Sequence, residues 1–575
     1  MSYLKKDWLP VRPFGQKVGR SNVQSNNYWS STTYASNPSN AWNVNMNNGN
    51  VNNNNKDNNN YVWPVRSDND SLRLFSSENI YKNYLRCRKN KRNTFNALKF
   101  DINCEENLID LKAELDTGSY YPSRSVCFMA TKPKLREIFA ADFRDRIVHH
   151  ILIDYLERIW EPKFISDSYA CRKKKGIHLG VKRLQCFLRK VTRNGSRGAF
   201  YLQLDIENFF MNIDKEILYR IIAAKVRDEN VLWLLKILIF HDCTKDYILK
   251  GDKEYLKKIA PWNSLFYTKG GKGLPLGNLT SQFFANVYLN ELDQFVKHHL
   301  KCGYYLRYCD DFVMLSEEKE NLTAWRDEIE RFLAGRLRLR LNGKRESFQP
   351  VSNGIDFLGY IIRPDYLLVR KRVVNNMKTR IEQFRKKLIC EKRGRTIVKY
   401  DYDLLERLRA VVASYFGHLK WANTYHLRRA VLNRYDFLKE FFSFDDGRIK
   451  PKYRFCEIFP CVRRQYFYYA NRFKGIGLFF QVGRFFEFYS GGSPVLDMLG
   501  LKPVKPNRRG VKYGFPLRFG ENYAEIAVEQ GIPVVIVRET DRYVGRIKQR
   551  LPVMKIMAVA TTYAQSAQHK YGIGN

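Results

Sequence analysis

Apolar and polar positions alternate along most of this chain in two rhythms, one of period two and one of three to four. Tyr304–Tyr308 and Phe312–Leu315 are β-formers on either side of Asp310-Asp311, which predicts two strands joined by a tight acidic hairpin. Phe200–Asp205 predicts a mostly apolar strand that ends on an acid, with helical spacing resuming from Ile213. Asn79–Lys91 has helical spacing and a basic face. Val374, Met377, Ile381, Phe384 and Leu388 recur at three and four, giving a helix with one apolar face and with Lys371, Arg372, Lys378, Arg380, Arg385, Lys386 and Lys387 over its other sides. Gly270–Asn278 is a glycine-rich loop that enters a helix with small and apolar faces. Near the end, Gly477–Tyr489 reads as a strand, Glu521–Gln530 as a short helix and Ile532–Val537 as a second strand, together a small α/β unit.

Residues 1–66 follow neither rhythm. From Asn22 to Asn60, 17 of 39 residues are Asn, punctuated by Trp29 and Trp42. Such composition predicts a polar, turn-rich leader prone to disorder or β-aggregation, and a poor domain. The genetic code allows another reading, because Asn codons are adenine-rich and no change at their adenines creates a stop.

Composition then narrows the partners. The 575 residues suffice for about four domains, and 44% hydrophobic content supports real cores. A formal charge of +41 points to a long polyanion as partner, bound in a salt-sensitive way, with nucleic acid the default. The 36 Tyr, 38 Phe and 9 Trp interleaved with those cations can stack on bases as well as fill cores. No two of the eleven cysteines stand at Cys-x-x-Cys spacing, so neither a zinc knuckle nor a disulfide framework is expected. The longest apolar run, Trp233–Phe240, is too short for a bilayer, and a soluble, intracellular protein without membrane contact is expected.

The candidate chemistry is acidic. Asp205 at a strand end, with Asp310 and Asp311 at a hairpin, offers the hard oxygen ligands that two magnesium ions need to clamp the attacking and leaving oxygens of a phosphoryl transfer. An isolated Asp-Asp pair is more often only a solvated turn. Basic clusters at Lys132–Arg146 and Phe164–Lys175 are commonly solvated faces, but beside such a centre Arg136 and Arg172 would hold a triphosphate.

The ordered set of motifs from about Ser67 to Phe442 resembles a reverse transcriptase: Leu204-Asp205-Ile206 with Phe209-Phe210, then Gly277 and Ser281, Tyr308-x-Asp310-Asp311, Leu341-Asn-Gly-Lys344, and Asp356-Phe-Leu-Gly-Tyr360. The resemblance implies an α+β right-hand polymerase with fingers at 67–200, a palm at 201–368 carrying a finger-side insertion at about 216–270, and a helical thumb at 369–450. It implies RNA-directed DNA synthesis with two Mg²⁺ held by Asp205, the backbone of Ile206 and Asp310, and supported by Asp311. Lys344 would protonate the pyrophosphate, and Phe210 would exclude a ribose 2′-hydroxyl. Arg136, Arg172, Leu276, Gly277 and Gln282 would surround the nucleotide, and Phe357, Leu358 and Gly359 would grip the primer.

Two departures narrow the resemblance. Leu276 replaces the Gln, and Gln282 the Pro, of the common Gln-Gly-x-x-x-Ser-Pro loop, a variant similar to the enzymes of diversity-generating retroelements, as is the wording of Arg136–Arg146 and Ser414–Lys420. That family implies copying of a template-repeat RNA into cDNA from dNTPs with errors concentrated at adenines, an accessory variability determinant protein, and a cytoplasmic setting in a bacterium, an archaeon or a phage-infected cell. Tyr28–Tyr34, Asn40–Asn45 and Asn59–Arg66 resemble the variable region of the C-type-lectin-fold targets of such elements, so residues 1–66 read as a template repeat in frame. Residues 451–575 resemble the mismatch-recognition domain of MutS proteins, with Phe485 and Glu487 at its base-stacking and base-bonding positions, although an alternating strand equally allows Phe485 to be core, and Arg484 stands where that family usually has an acid. Alternatives are a retron, group II intron-like or defence reverse transcriptase and, in another class, a non-catalytic nucleic-acid-binding scaffold.

Overall fold

A computed structural model describes residues 27–33, 37, 39–45 and 50–57 of the leader, and residues 74–559 except 90, 132, 133, 446, 447 and 457. Mixed helix and strand content runs throughout. At the centre lies a four-stranded antiparallel sheet in the order Ser347–Pro350, Phe200–Asp205, Asp311–Ser316, Tyr305–Tyr308. Alternation along those strands sends Leu202, Leu204, Phe312 and Met314 into one core and Tyr201, Leu306, Val313 and Leu315 into another, so both faces are covered and the strands read as nearly continuous apolar runs. The first core is closed by the helices Phe143–Trp160 and Leu279–Gln294, the second by Ile177–Val191.

A smaller sheet flanks the centre, in the order Arg136–Ala140, Ser125–Ala130, Tyr247–Lys250. Its last strand comes from the range expected as an insertion and pairs in parallel with Ser125–Ala130. Glu137, fully buried, fastens the loop at residues 264–265 to the same sheet by accepting from the Ser264 hydroxyl at 2.8 Å and from the Leu265 amide.

Three elements differ from the sequence-based expectation. Gly477–Tyr489 is a hairpin of Gly477–Val482 and Phe485–Phe488, because Gly483 takes positive φ and reverses the chain. The range expected as a helical thumb also contains a hairpin, Ile389–Lys392 with Arg395–Lys399, turned at Arg393 and Gly394, both of positive φ. That hairpin joins the end of the chain: a seven-stranded sheet runs Ile389–Lys392, Arg395–Lys399, Ile547–Ala558, Val534–Val544, Gly477–Val482, Phe485–Phe488, Tyr513–Pro516. In the leader, finally, Asn27–Thr33, Asn40–Asn45 and Val51–Asn55 form a three-stranded antiparallel sheet where composition predicted disorder. Asn40 donates to Asn53 across the strands at 3.0 Å, one side-chain pair of the kind that supports a sheet, and Asn43 is fully buried. The remaining residues of the proposed template repeat, such as Asn59–Arg66, lie outside the described residues.

The helices Lys371–Leu388, Tyr402–Leu419 and Tyr425–Arg434 bury Met377, Ile381, Leu405, Leu408, Val412 and Val431 between them, as the spacing of the first predicts. Among the described residues no helix is long and apolar enough to cross a membrane.

Ending the chain at residue 450 would strip Arg395–Lys399 of its partner strand and expose half-buried Ile397 on an unpaired edge. Such a truncated protein is expected to aggregate during size-exclusion chromatography while the full chain elutes as a single species; a monodisperse truncated form would show that the shared sheet is dispensable.

Candidate active site

The hairpin at the centre of the sequence forms as predicted, but its turn is Cys309-Asp310. Cys309 takes positive φ, whereas Asp311 already belongs to a strand and pairs with both Tyr308 and Asp205. Side-chain and backbone partners on three sides hold that turn. Arg307, fully buried, donates to the Asp293 carboxylate at 2.6 and 2.7 Å and to the Cys309 carbonyl at 2.9 Å.

Asp205 and Asp310 face one cleft of about 270 Å³, with Arg136, Phe210 and Leu276 among its walls. Burial and the neighbouring Asp310 charge push the Asp205 carboxyl up to about 6, opposed by the hydrogen bond from Asn342 at 3.0 Å and by the Arg136 charge; Arg345 also donates to this carboxylate at 3.1 Å. Burial also raises Asp310, opposed by its own backbone amide and by the Arg136 and Arg307 charges. Asp311 does not line the cleft. Its carboxylate accepts from Gln203 Nε2 at 3.0 Å, and burial, with Asp205 and Asp310 adding to it, lifts it to about 7. Among the described residues no three His, Cys, Asp or Glu side chains converge to hold a metal. Two carboxylates in one cleft, one of them paired with Arg345, are nonetheless a hard-oxygen donor set that favours a divalent cation, with the buried backbone at Ile206 beside them.

A family model described as reverse transcriptase (RNA-dependent DNA polymerase) matches residues 130–362, a span that holds every acid of this cleft. Residues 130–362 form a reverse transcriptase domain. The chain is 25% identical over 296 residues to Protein YkfC of Escherichia coli (strain K12), covering 46% of this chain and 71% of that protein. It is 23% identical over 324 residues to Group II intron-encoded protein LtrA of Lactococcus lactis subsp. cremoris, covering 45% of this chain and half of LtrA. A solved apo telomerase from Candida tropicalis aligns at 11% identity with a TM-score of 0.33, over 43% of this chain and 55% of that one, too distant to bear on mechanism. A second family model, the Lcl C-terminal domain, matches residues 11–66, so the leader is not mere low complexity.

Within the reverse transcriptase domain, Gly277 is required by its setting: φ is +118° and a Cβ would lie 2.7 Å from Ile138 Cγ2 and 3.1 Å from the Phe139 carbonyl oxygen. The Leu276 carbonyl accepts from the Phe139 amide at 2.9 Å, and Asn278 Oδ1 accepts from the Ala141 amide at 3.1 Å, so the glycine loop is fastened to the strand that bears Arg136. Gln282 is exposed on the first turn of the following helix. Phe357 is buried at the end of a strand, and Leu358 and Gly359, both of positive φ, form the hairpin turn after it.

Two expected contacts are not made. Arg172 is turned away from the cleft: its guanidinium donates to Glu161 at 2.8 Å and to the carbonyls of Ile165 and Ser168 at 2.7 and 3.0 Å, and it packs over Phe164. Lys344 is exposed and does not line the cleft, whereas its neighbour Arg345 reaches Asp205. Arg345, Asn342 and Arg307 are thus site residues that motif reading missed, although Arg307 was visible as a lone cation inside an apolar strand.

Far along the chain, Phe485 is 48% exposed while Phe486 and Phe488 are buried, which removes the core reading for it. It lies between two clefts, one walled by Asn507, Arg508 and Arg509, the other by Arg463 and Arg484. Glu487, buried, accepts from the Tyr489 hydroxyl at 2.6 Å.

The raised acids carry a pH signature. A carboxyl raised above its ordinary range binds its proton more tightly folded than unfolded, so its contribution to stability is full below about pH 4 and is lost as pH rises through 6 to 7. In metal-free buffer Asp311→Asn is therefore expected to raise the unfolding free energy at about pH 8 by on the order of 1–3 kcal/mol, with the gain shrinking as pH falls and vanishing below about pH 4. Urea unfolding at the two pH values measures it; a pH-independent difference would contradict the burial effect.

Proposed function

We propose that the chain is an RNA-directed DNA polymerase that extends a primer with dNTPs at the Asp205–Asp310 cleft, and that it serves a diversity-generating retroelement, copying template-repeat RNA into cDNA with adenine-biased errors. The observation that carries the catalytic reading is the shared cleft, in which an acid at a strand end and an acid in a hairpin turn face one opening beside Arg136 and Phe210. Asp205, Asp310 and the Ile206 carbonyl would hold two Mg²⁺, with Asp311 supporting them through Gln203. Bound there, the cations would activate the primer hydroxyl and neutralise charge on the leaving pyrophosphate. The protein's own part is positioning and charge: Arg136 binds the triphosphate, Phe210 bars a 2′-hydroxyl, the Phe357–Gly359 turn orients the primer end, and the basic helices after it grip the duplex backbone without reading sequence. Arg345 reaches the cleft beside Lys344; Lys344 would supply the proton for pyrophosphate, and Arg345, which keeps its proton, would add only positive charge there.

Two features support the retroelement. Leu276, an apolar residue on the cleft wall, removes a hydrogen-bonding group from the nucleotide's surroundings, which lowers selectivity there. In addition, a segment matching a C-terminal domain stands ahead of the polymerase domain, as a template repeat derived from the 3′ end of a target gene would. A group II intron-like role is the second reading, favoured by the similarity to LtrA. We further propose that the C-terminal domain, MutS-like in its Phe485 and Glu487, binds nucleic acid through the exposed ring, and that an accessory protein joins the complex.

Primer extension on an RNA template with Mg²⁺ tests the catalytic reading: Asp310→Asn is expected to lower kcat by on the order of a thousandfold or more while RNA affinity stays within about threefold. Sequencing the wild-type products separates the two roles, since errors spread evenly over the four template bases would sink the retroelement assignment. For the C-terminal domain, Phe485→Ala should weaken binding to RNA or to mismatched RNA–DNA hybrid by about 1–3 kcal/mol in a titration, and unchanged affinity for both would refute it.

A further inference from the structure

The range expected as a finger-side insertion reaches the Asp205–Asp310 cleft through Asn263, which lines it together with Arg136, Phe210 and Leu276. Asn263 ends the short 3₁₀ turn Pro261–Asn263, and a second such turn, Leu265–Tyr267, follows at once. Glu137, the fully buried neighbour of Arg136, accepts from the Ser264 hydroxyl at 2.8 Å and from the Leu265 amide, the two residues after Asn263. A carboxylate is costly to bury, and this one is satisfied by the loop that carries Asn263. Leu265 packs with Phe139 and Met211 in a small core against which Phe210 and Leu276 also lie. Gly273 leaves room for it, since a Cβ there would sit 2.7 Å from Leu265 Cδ2, and the adjoining Leu274 amide donates to the Phe210 carbonyl at 2.9 Å. The loop and Phe210 are therefore parts of one braced wall. Asn263 itself is exposed, and its side-chain amide bonds no other described residue.

We propose that Asn263 hydrogen-bonds the nucleoside part of the incoming dNTP, and that Glu137 is the positioning residue that holds it there; this rests on the reading of the cleft as the site of dNTP addition. Placement favours the nucleoside over the triphosphate. Phosphates are drawn to Arg136 and to cations on the acids, whereas the loop of Asn263 is built into the apolar side of the cleft with Phe210 and Leu276, where sugar and base must lie. Leu276 offers that side no polar group. An amide can present a donor or an acceptor by turning over, so Asn263 supplies a grip that all four nucleotides can accept. Its precision comes from behind, because a contact of this kind is only as good as the shell that fixes it.

The test uses the full chain on an RNA template with Mg²⁺. Primer extension gives KM and kcat for each dNTP, and a primer lacking its 3′-hydroxyl gives the dNTP Kd without turnover. Asn263→Ala is expected to raise KM and Kd for every dNTP by about three- to tenfold, the loss of one hydrogen bond, with kcat within about twofold and inhibition by inorganic tripolyphosphate unchanged. Glu137→Ala should give the same shift, and Glu137→Gln, which keeps an oxygen for the Leu265 amide, should restore most of it. Unchanged dNTP binding in Asn263→Ala, a fall in kcat alone, or equal weakening of tripolyphosphate overturns the proposal; a folded Glu137→Ala that binds dNTP like wild type removes the positioning role. A wild type that binds dNTP through Asn263 but extends no primer counts against the catalytic reading alone, whereas one that binds no dNTP overturns both.

Discussion

The Arg307–Asp293 ion pair is the constraint on which the centre depends. A fully buried guanidinium is tolerated only when its donors are satisfied, since moving an ion out of water costs several kcal/mol even after relaxation. Here Nε and Nη2 bond Asp293, Nη1 bonds the Cys309 carbonyl and Asn286, and Nη2 also reaches Ser168 Oγ. Tyr305 donates its hydroxyl to Asp293 at 2.7 Å. One cation thereby ties together the helix Leu279–Gln294, the loop at 167–171, the strand Tyr305–Tyr308 and the turn that presents Asp310. Removing either partner would leave a bare charge in the core, so the turn's geometry is over-determined from behind, away from substrate.

In front of the turn the physics runs the opposite way. Asp205, Asp310 and Asp311 are crowded, largely shielded from water and all raised, which means that the site is arranged at the expense of stability for more positive charge than Arg136 and Arg345 supply. Arg345 and Asn342 offset only part of that repulsion at Asp205. A rigid cationic support behind and an anionic excess in front are the electrostatic preconditions for binding cations together with a triphosphate.

Much of this centre was legible in the sequence because the signals were local. The strand ending at Asp205, the hairpin and the glycine loop each follow from residue type over a few positions. What escaped was decided by tertiary partners. Arg172 and Arg136 stand in equally basic clusters, and Arg172 is drawn away from the cleft by Glu161, eleven positions off, together with the Ile165 and Ser168 carbonyls. Lys344 and Arg345 are adjacent cations on one short turn, and composition gives no rule for which faces an acid. Asp311 lies in a strand because its ladder with Asp205 outweighs the turn preference of an acid. The hairpin at 389–399 did have a local signal, Arg393-Gly394 ahead of the β-branched run Thr396–Val398, but the strong helical period before it masked the change. In the leader, Asn composition argued for disorder or β-aggregation, and the sheet that forms carries a cross-strand amide pair, Asn40 to Asn53.

The shared seven-stranded sheet bears on how the two halves act together. Arg395, from the hairpin between the basic helices, bonds Glu525 and Glu529 of the C-terminal domain, and Lys555 returns to Glu440 at 3.0 Å. The Tyr400 amide and Tyr402 hydroxyl donate to the carbonyls of Val553 and Pro552, each at 2.9 Å. A backbone ladder reinforced in this way does not hinge as a linker would, because rotation of one half against the other breaks consecutive hydrogen bonds at once. Phe485, two strands from the ladder between the halves, is therefore carried rigidly with the helices that follow the reverse transcriptase domain. If those helices track the newly made duplex, the exposed ring meets nucleic acid at a fixed distance from the point of synthesis, and a base mispaired there would reach it only after a set number of additions.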